Sequence, residues 1–175
     1  MNNLLRVILL SALFMDTFGL VALAKNCAAE CPSDLKLSAD MPILLGVGTT
    51  RTPAFTVKHK RYLIEIRAQW NMPTDELKCK MGFELSPGYP VCRSEPLIEA
   101  EWSVWDGERV VAHGIDKGRS HAYEAGACYF GRFLGDFDGE SGHKYSVEVK
   151  IIKDASLLNV TNPRLVVTIV TGNAF

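Results

Sequence analysis

Three segments of this sequence alternate apolar and polar residues with a period of two, and that pattern restricts the fold more than anything else in the chain. In 61–70 (RYLIEIRAQW), Tyr62, Ile64, Ile66, Ala68 and Trp70 fall on one face, and Leu63, Glu65, Arg67 and Gln69 on the other. In 96–105 (PLIEAEWSVW), Ile98, Ala100, Trp102 and Val104 oppose Glu99, Glu101, Ser103 and Trp105. In 145–152 (YSVEVKII), Tyr145, Val147, Val149 and Ile151 oppose Ser146, Glu148 and Lys150. Successive side chains of a strand point to opposite faces, so each pattern predicts one buried face and one wet face. A period of 3.6, the mark of an amphipathic helix, is not found over any length.

Further strands are expected at 41–48, 54–57, 109–114 and 128–137, the last with a bulge at Gly131. Segment 164–170 (RLVVTIV) is apolar enough for the middle of a sheet. The sum is an all-β fold, a single antiparallel β-sandwich of about seven or eight strands over 41–175. Asp106-Gly107 signals a hairpin. A three-residue loop, 106–108, would set Val104 opposite Val110 and Trp102 opposite Ala112, keeping Arg109 out of the core.

Ahead of the sandwich, Arg6, the apolar run Val7–Met15 and the small residues Ala22-Leu23-Ala24 have the layout of a secretory signal peptide, 1–24. A central Asp16 would cost a spanning helix about 2.5–3.5 kcal/mol, which favours cleavage over anchoring. Residues 25–40 read as an N-terminal extension, and no later segment is long and apolar enough to span a bilayer. The expected location is periplasmic or secreted. Nineteen basic and twenty acidic residues give a formal net charge of −1 without a charged block, so no nucleic-acid partner is expected.

Export makes disulfides the first expectation for Cys27, Cys31, Cys79, Cys92 and Cys128. Residues 71–96, broken by prolines and glycines, form the longest irregular stretch of the body, with Cys79 and Cys92 near its ends. A bridge between them would close a loop of about 14 residues, worth roughly 3 kcal/mol in the chain-entropy picture.

The order of these segments, with 61–70, 97–111, the run GRFLGDFDGESGHKYSVEVKII at 131–152 and a last strand after Asn162-Pro163, resembles a family of exported bacterial proteins, domain of unknown function 5625. The likeness covers about residues 41–170 and rests on core pattern and on the approach to a strand from Gly142 to Val149. It implies a sandwich fold and an exported location, and brings no catalytic residues.

Motifs of chemistry are scarce. His59, His113, His121 and His143 form no metal-binding pair, and no nucleophile elbow, phosphate loop or dinucleotide fingerprint occurs. No cofactor is expected. Asp136, Asp138 and Glu140 offer clustered oxygens but fall short of a calcium loop, and read better as a solvated turn. Asn159-Val160-Thr161 is a glycosylation sequon, with meaning only in a eukaryotic secretory route. Glu99 and Glu101 share a strand face about 6–7 Å apart, a spacing paired glycosidase carboxylates use, but acids on a wet sheet face need no such role. Trp70 and Trp102 fall on inward faces. Trp105 falls outward, and with Tyr89 and Tyr123 in loops it is the candidate ligand contact. The function expected is therefore non-enzymatic binding of a protein partner in the bacterial envelope, as by an immunity-type inhibitor. A carbohydrate-binding module is the alternative, and a hydrolase using His113, His121 or the two glutamates a third.

Overall fold

The computed structural model describes residues 37–83, 92, 95–118, 122–125 (by backbone alone) and 129–170. All belong to one of the two units into which the chain divides, Ser33–Phe175. The predicted signal peptide lies outside the described residues, as do Tyr89, Cys27, Cys31, Cys128 and His121.

The described residues form ten strands, more than the seven or eight expected: β1 (Leu37–Pro42), β2 (Gly48–Arg51), β3 (Phe55–Thr56), β4 (Arg61–Gln69), β5 (Ala100–Asp106), β6 (Arg109–Asp116), β7 (Ala122–Ala125), β8 (Tyr129–Asp138), β9 (Lys144–Ile151) and β10 (Arg164–Ile169). They pair antiparallel in two sheets. The first has the order β1-β10-β4-β8-β7, and the second the order β2-β9-β5-β6 with β3 also on β9. This is the β-sandwich that alternation predicts. Tyr62, Ile64, Ile66, Leu165 and Val167 face Ala100, Val104, Val147, Val149 and Ile151 across the interior. Burying each large aliphatic side chain stabilises the fold by roughly 1.5–3 kcal/mol.

Several boundaries differ from expectation. The first strand begins at Leu37, so 37–40 belong to the sandwich and 43–47 do not form strand. The bulge of β8 falls at Leu134, between the pairs Ile64–Gly135 and Glu65–Phe133, while Gly131 pairs regularly with Arg67. The irregular stretch opens with a helix, α1 (Thr74–Met81). Pro73 precedes it without a side-chain cap, Asp75 and Glu76 lie in the first turn, Lys78 and Lys80 in the last, and Gly82 in the left-handed region (φ 86°) is its stop. Leu77 and Met81, one turn apart, are its buried anchors. At eight residues it is too short for the period of 3.6 to stand out. Cys79 of α1 forms the expected disulfide with Cys92.

The wet face predicted for β4 is dry at its centre. Glu65 and Arg67 are buried, as are Val166 and Thr168 on the neighbouring strand. The charges survive burial because they pair: Arg67 Nε and Nη2 donate to Glu65 Oε2 at 3.1 and 2.9 Å, and Thr168 Oγ1 donates to the other oxygen at 3.4 Å. Arg132 on β8 is completely buried. It donates to Asp116 Oδ2 at 2.6 Å, to the Met81 carbonyl at 2.6 Å and to the Gly118 carbonyl at 2.9 Å. One guanidinium thus ties the end of β6, the segment after it and the stop of α1 to the first sheet.

Candidate binding surface

The outer face of the second sheet presents Glu101, Ser103 and Trp105 from β5, beside Ser146, Glu148 and Lys150 from β9. Trp105 lies in an interior strand, between Ser146 and Val110. The Arg51 guanidinium lies 4.6 Å from its ring centroid. Arg51 is held there by a 2.9 Å hydrogen bond from Nε to Ser146 Oγ. The indole Nε1 is buried without a hydrogen-bond partner. Trp105 is therefore a half-buried ring with one face occupied by a cation. Tyr123, expected in a loop, lies in β7, at the edge of the first sheet. The structure does not bring the two residues into one sheet.

The hairpin differs from the expected register. Asp106 pairs with Arg109 around a two-residue turn, Gly107-Glu108, with Gly107 at φ 62°. Val111 is then an extra residue in β6, so Val104 faces Ala112 and Trp102 faces Gly114. Arg109 stays exposed, as argued, but it does so paired with Asp106 at the tip of a two-residue turn and not beside a longer loop. Trp102 is a core residue as expected. Its indole reaches Gly114 on one side and Gly135 of the facing sheet on the other, where a Cβ would approach the ring to 2.5 and 2.3 Å. Trp70 is not: β4 ends at Gln69, and Trp70 turns to the surface, 40% exposed, stacked on Phe130 with ring centroids 5.0 Å apart.

Strand β6 ends the second sheet and pairs, among the described residues, with β5 alone. It carries two exposed apolar side chains, Val110 and Ile115, next to His113. Together with Glu101, Trp102, Ser103 and Gly114 they line an open depression of about 450 Å³. A free strand edge with apolar side chains is a template for a further strand.

Among the described residues, the groups expected for catalysis are not joined by hydrogen bonds. Glu101 pairs with Lys150 at 3.0 Å, and Glu99, just outside β5, with Lys153 at 3.5 Å. His113 is exposed across the strand from Ser103. His143 sits by Asp106 at 3.0 Å and Glu140 at 3.5 Å on an exposed turn. Asp136 is taken by Arg61 at 2.7 Å. No group of three or more metal-ligating side chains occurs among the described residues.

A second surface escaped the sequence reading. Between β9 and β10 the chain forms a 3₁₀ helix, Ser156–Thr161. With three residues per turn, side chains at i and i+3 eclipse. Leu158 and Thr161 form its buried face, and Leu157 and Val160, exposed to 67% and 62%, form the other. The loop 43–47 lies alongside: the Leu45 N–H donates to Asn159 Oδ1 at 2.9 Å, and the Ala155 N–H to the Leu45 carbonyl at 2.8 Å. It adds Leu44 and Val47, exposed to 75% and 69%. Asn71, next to Trp70, donates from Nδ2 to the Val160 carbonyl at 3.3 Å. The i, i+3 spacing of Leu157 and Val160 is legible in sequence only once a 3₁₀ helix is known.

Among solved structures, the chain is similar to a crystal structure of a protein from Sulfurospirillum deleyianum. The two share 10% identity with a TM-score of 0.57, over 75% of this chain and 96% of the other. That likeness supports the fold alone. No family profile matches the chain, and no curated protein matches it.

Proposed function

We propose that this is an exported, non-enzymatic binding protein of the bacterial envelope that recognises a protein partner through the β5–β6 edge of its second sheet. The observation that carries the reading is the edge of β6, unpaired among the described residues, with exposed Val110 and Ile115 beside an open depression. A partner strand laid along β6 would gain main-chain hydrogen bonds, with the two apolar side chains and the depression supplying selectivity. The depression is open, and although Glu101, Ser103 and His113 line it, no hydrogen bond joins them and Glu101 is paired with Lys150, which supports binding over turnover. Arg51 over Trp105 occupies a ring face that sugar stacking would use, so a protein is better supported than a carbohydrate. Kinship with the exported 5625 domains and an immunity-type role belong to the same reading.

The test is capture from envelope extract by the protein and by its Val110→Asp/Ile115→Asp variant, each checked for a native melting curve. A partner retained by the first and lost by the second is expected. Capture that is indifferent to the variant, or no partner with either, would overturn the assignment.

A further inference from the structure

The exposed aliphatic cluster lies at the end of the sandwich where β1, β4 and β9 finish and β2, β5 and β10 begin. Leu44, Val47, Leu157 and Val160 are the four most exposed large hydrophobic residues of the described structure. They come from two segments, 41–50 and 155–163, that contain no charged residue. Beside them Asp40 pairs with Arg164 and Glu99 with Lys153, and the Asp154 carboxylate accepts from the Ser156 N–H. The rim therefore carries no excess of positive charge. Trp70, a half-exposed amphipathic ring of the kind enriched at membrane–water interfaces, follows β4 at the same end.

We propose that this end of the sandwich inserts shallowly into a lipid surface whose headgroups carry no net charge. The chemistry favours lipid over a protein pocket. Protein hot spots are rich in Trp, Tyr and Arg and poor in Leu and Val, and they need polar groups for register. Here the projecting side chains are aliphatic, and the Asn159 Oδ1 and Thr161 Oγ1 between them are already hydrogen-bonded within the tip. An acyl boundary demands only apolar surface. The rim charges are paired and have no positive excess to select an anionic surface, so binding is weak, reversible and indifferent to salt. It would hold the protein at a membrane with the β6 edge still free, and it stands whether or not that edge binds a partner.

The test is co-sedimentation of the exported protein with phosphatidylcholine vesicles, alone and with phosphatidylglycerol added. Any contribution of residues 1–36 is common to all variants, so the differences between variants are what is read. Leu157→Asp/Val160→Asp and, separately, Leu44→Asp/Val47→Asp alter exposed positions on two segments. Each should lower partition at least about tenfold while leaving the melting curve unchanged. Thr56→Asp, the same charge at an exposed position toward the opposite end of the sandwich, should leave partition as it was. Partition onto neutral vesicles should hold from about 0.05 to 0.5 M salt. Failure to bind neutral vesicles, binding only to anionic ones with loss in salt, or binding untouched by both tip variants would overturn the proposal. So would tip variants that abolish capture of a protein partner and leave vesicle partition intact.

Discussion

Replacing Gly135 by alanine should destabilise the sandwich, although alanine is ordinarily the better strand residue. Gly135 sits on β8 opposite the Trp102 indole, and its φ is not in the left-handed region, so the backbone accepts a side chain. On backbone grounds alone the substitution would stabilise by roughly 0.5–1 kcal/mol. The added Cβ, however, would lie 2.3 Å from Trp102 Cζ2 and 2.4 Å from Cε2, where ordinary contact begins at 3.4 Å. The ring would have to withdraw by about 1 Å, and the same ring atoms already press on Gly114, where a Cβ would stand at 2.5 Å. Overpacking of this kind costs typically 1–3 kcal/mol, and a rigid ring between two backbones belongs near the upper end. The net expectation is a loss of about 2 kcal/mol, read in urea unfolding as a lower midpoint at unchanged slope, or as a fall in Tm of about 4–8 °C. Trp102→Phe removes the offending part of the ring, so the same alanine should cost at least about 1 kcal/mol less in that background. A Gly135→Ala protein as stable as the parent, or a cost identical in the Trp102→Phe background, would refute the argument.

Other consequences follow from the polar interior and the cross-link. Asp116→Ala leaves the fully buried Arg132 without its carboxylate and should cost about 3–5 kcal/mol in denaturant unfolding. Cys79→Ser should lower stability by roughly 3 kcal/mol, and reductant should lower the stability of the parent by about that much more than it lowers that of the variant. Hydrogen bonds from the Ser156 backbone and side chain hold the exposed Asp154 carboxyl below its usual value of 3.8. Its contribution to folding is therefore complete above pH 3.8 and lost as pH falls through the lower, folded-state value. Asp154→Asn should remove that acid-side component from the pH–stability curve, and an NMR titration of Asp154 with a midpoint at or above 3.8 would contradict the reading.

Much of the architecture was legible because it is written in local pattern. The alternation in 61–70 and 145–152 is a property of consecutive residues, and the structure buries the faces it marks. Asp106-Gly107 announced the hairpin, and the spacing of Cys79 and Cys92 their bridge. Where the alternation continued past its strand it misled: Trp70 keeps the period of β4, but the chain turns after Gln69 and the ring leaves the core.

What the chain's own pattern determined, then, is which residues run as strands, which face of each is apolar, and that the product is a sandwich. Tertiary structure decided what period two does not encode. A strand's second face meets water or not according to what the rest of the fold lays upon it. Glu65 and Arg67 read as wet on β4, and are instead a buried pair. Arg132 is buried because Asp116 and Gly118 on one segment and Met81 on another come to meet it. The candidate surfaces have the same origin. Among the described residues, β6 is left with an unpaired edge only because of strand order. The aliphatic tip exists only because a loop more than a hundred residues away, joined by the bond from Leu45 to Asn159, is set beside a 3₁₀ turn. Local sequence sets direction and polarity one residue at a time, while burial, pairing and surface are made by segments distant in the chain.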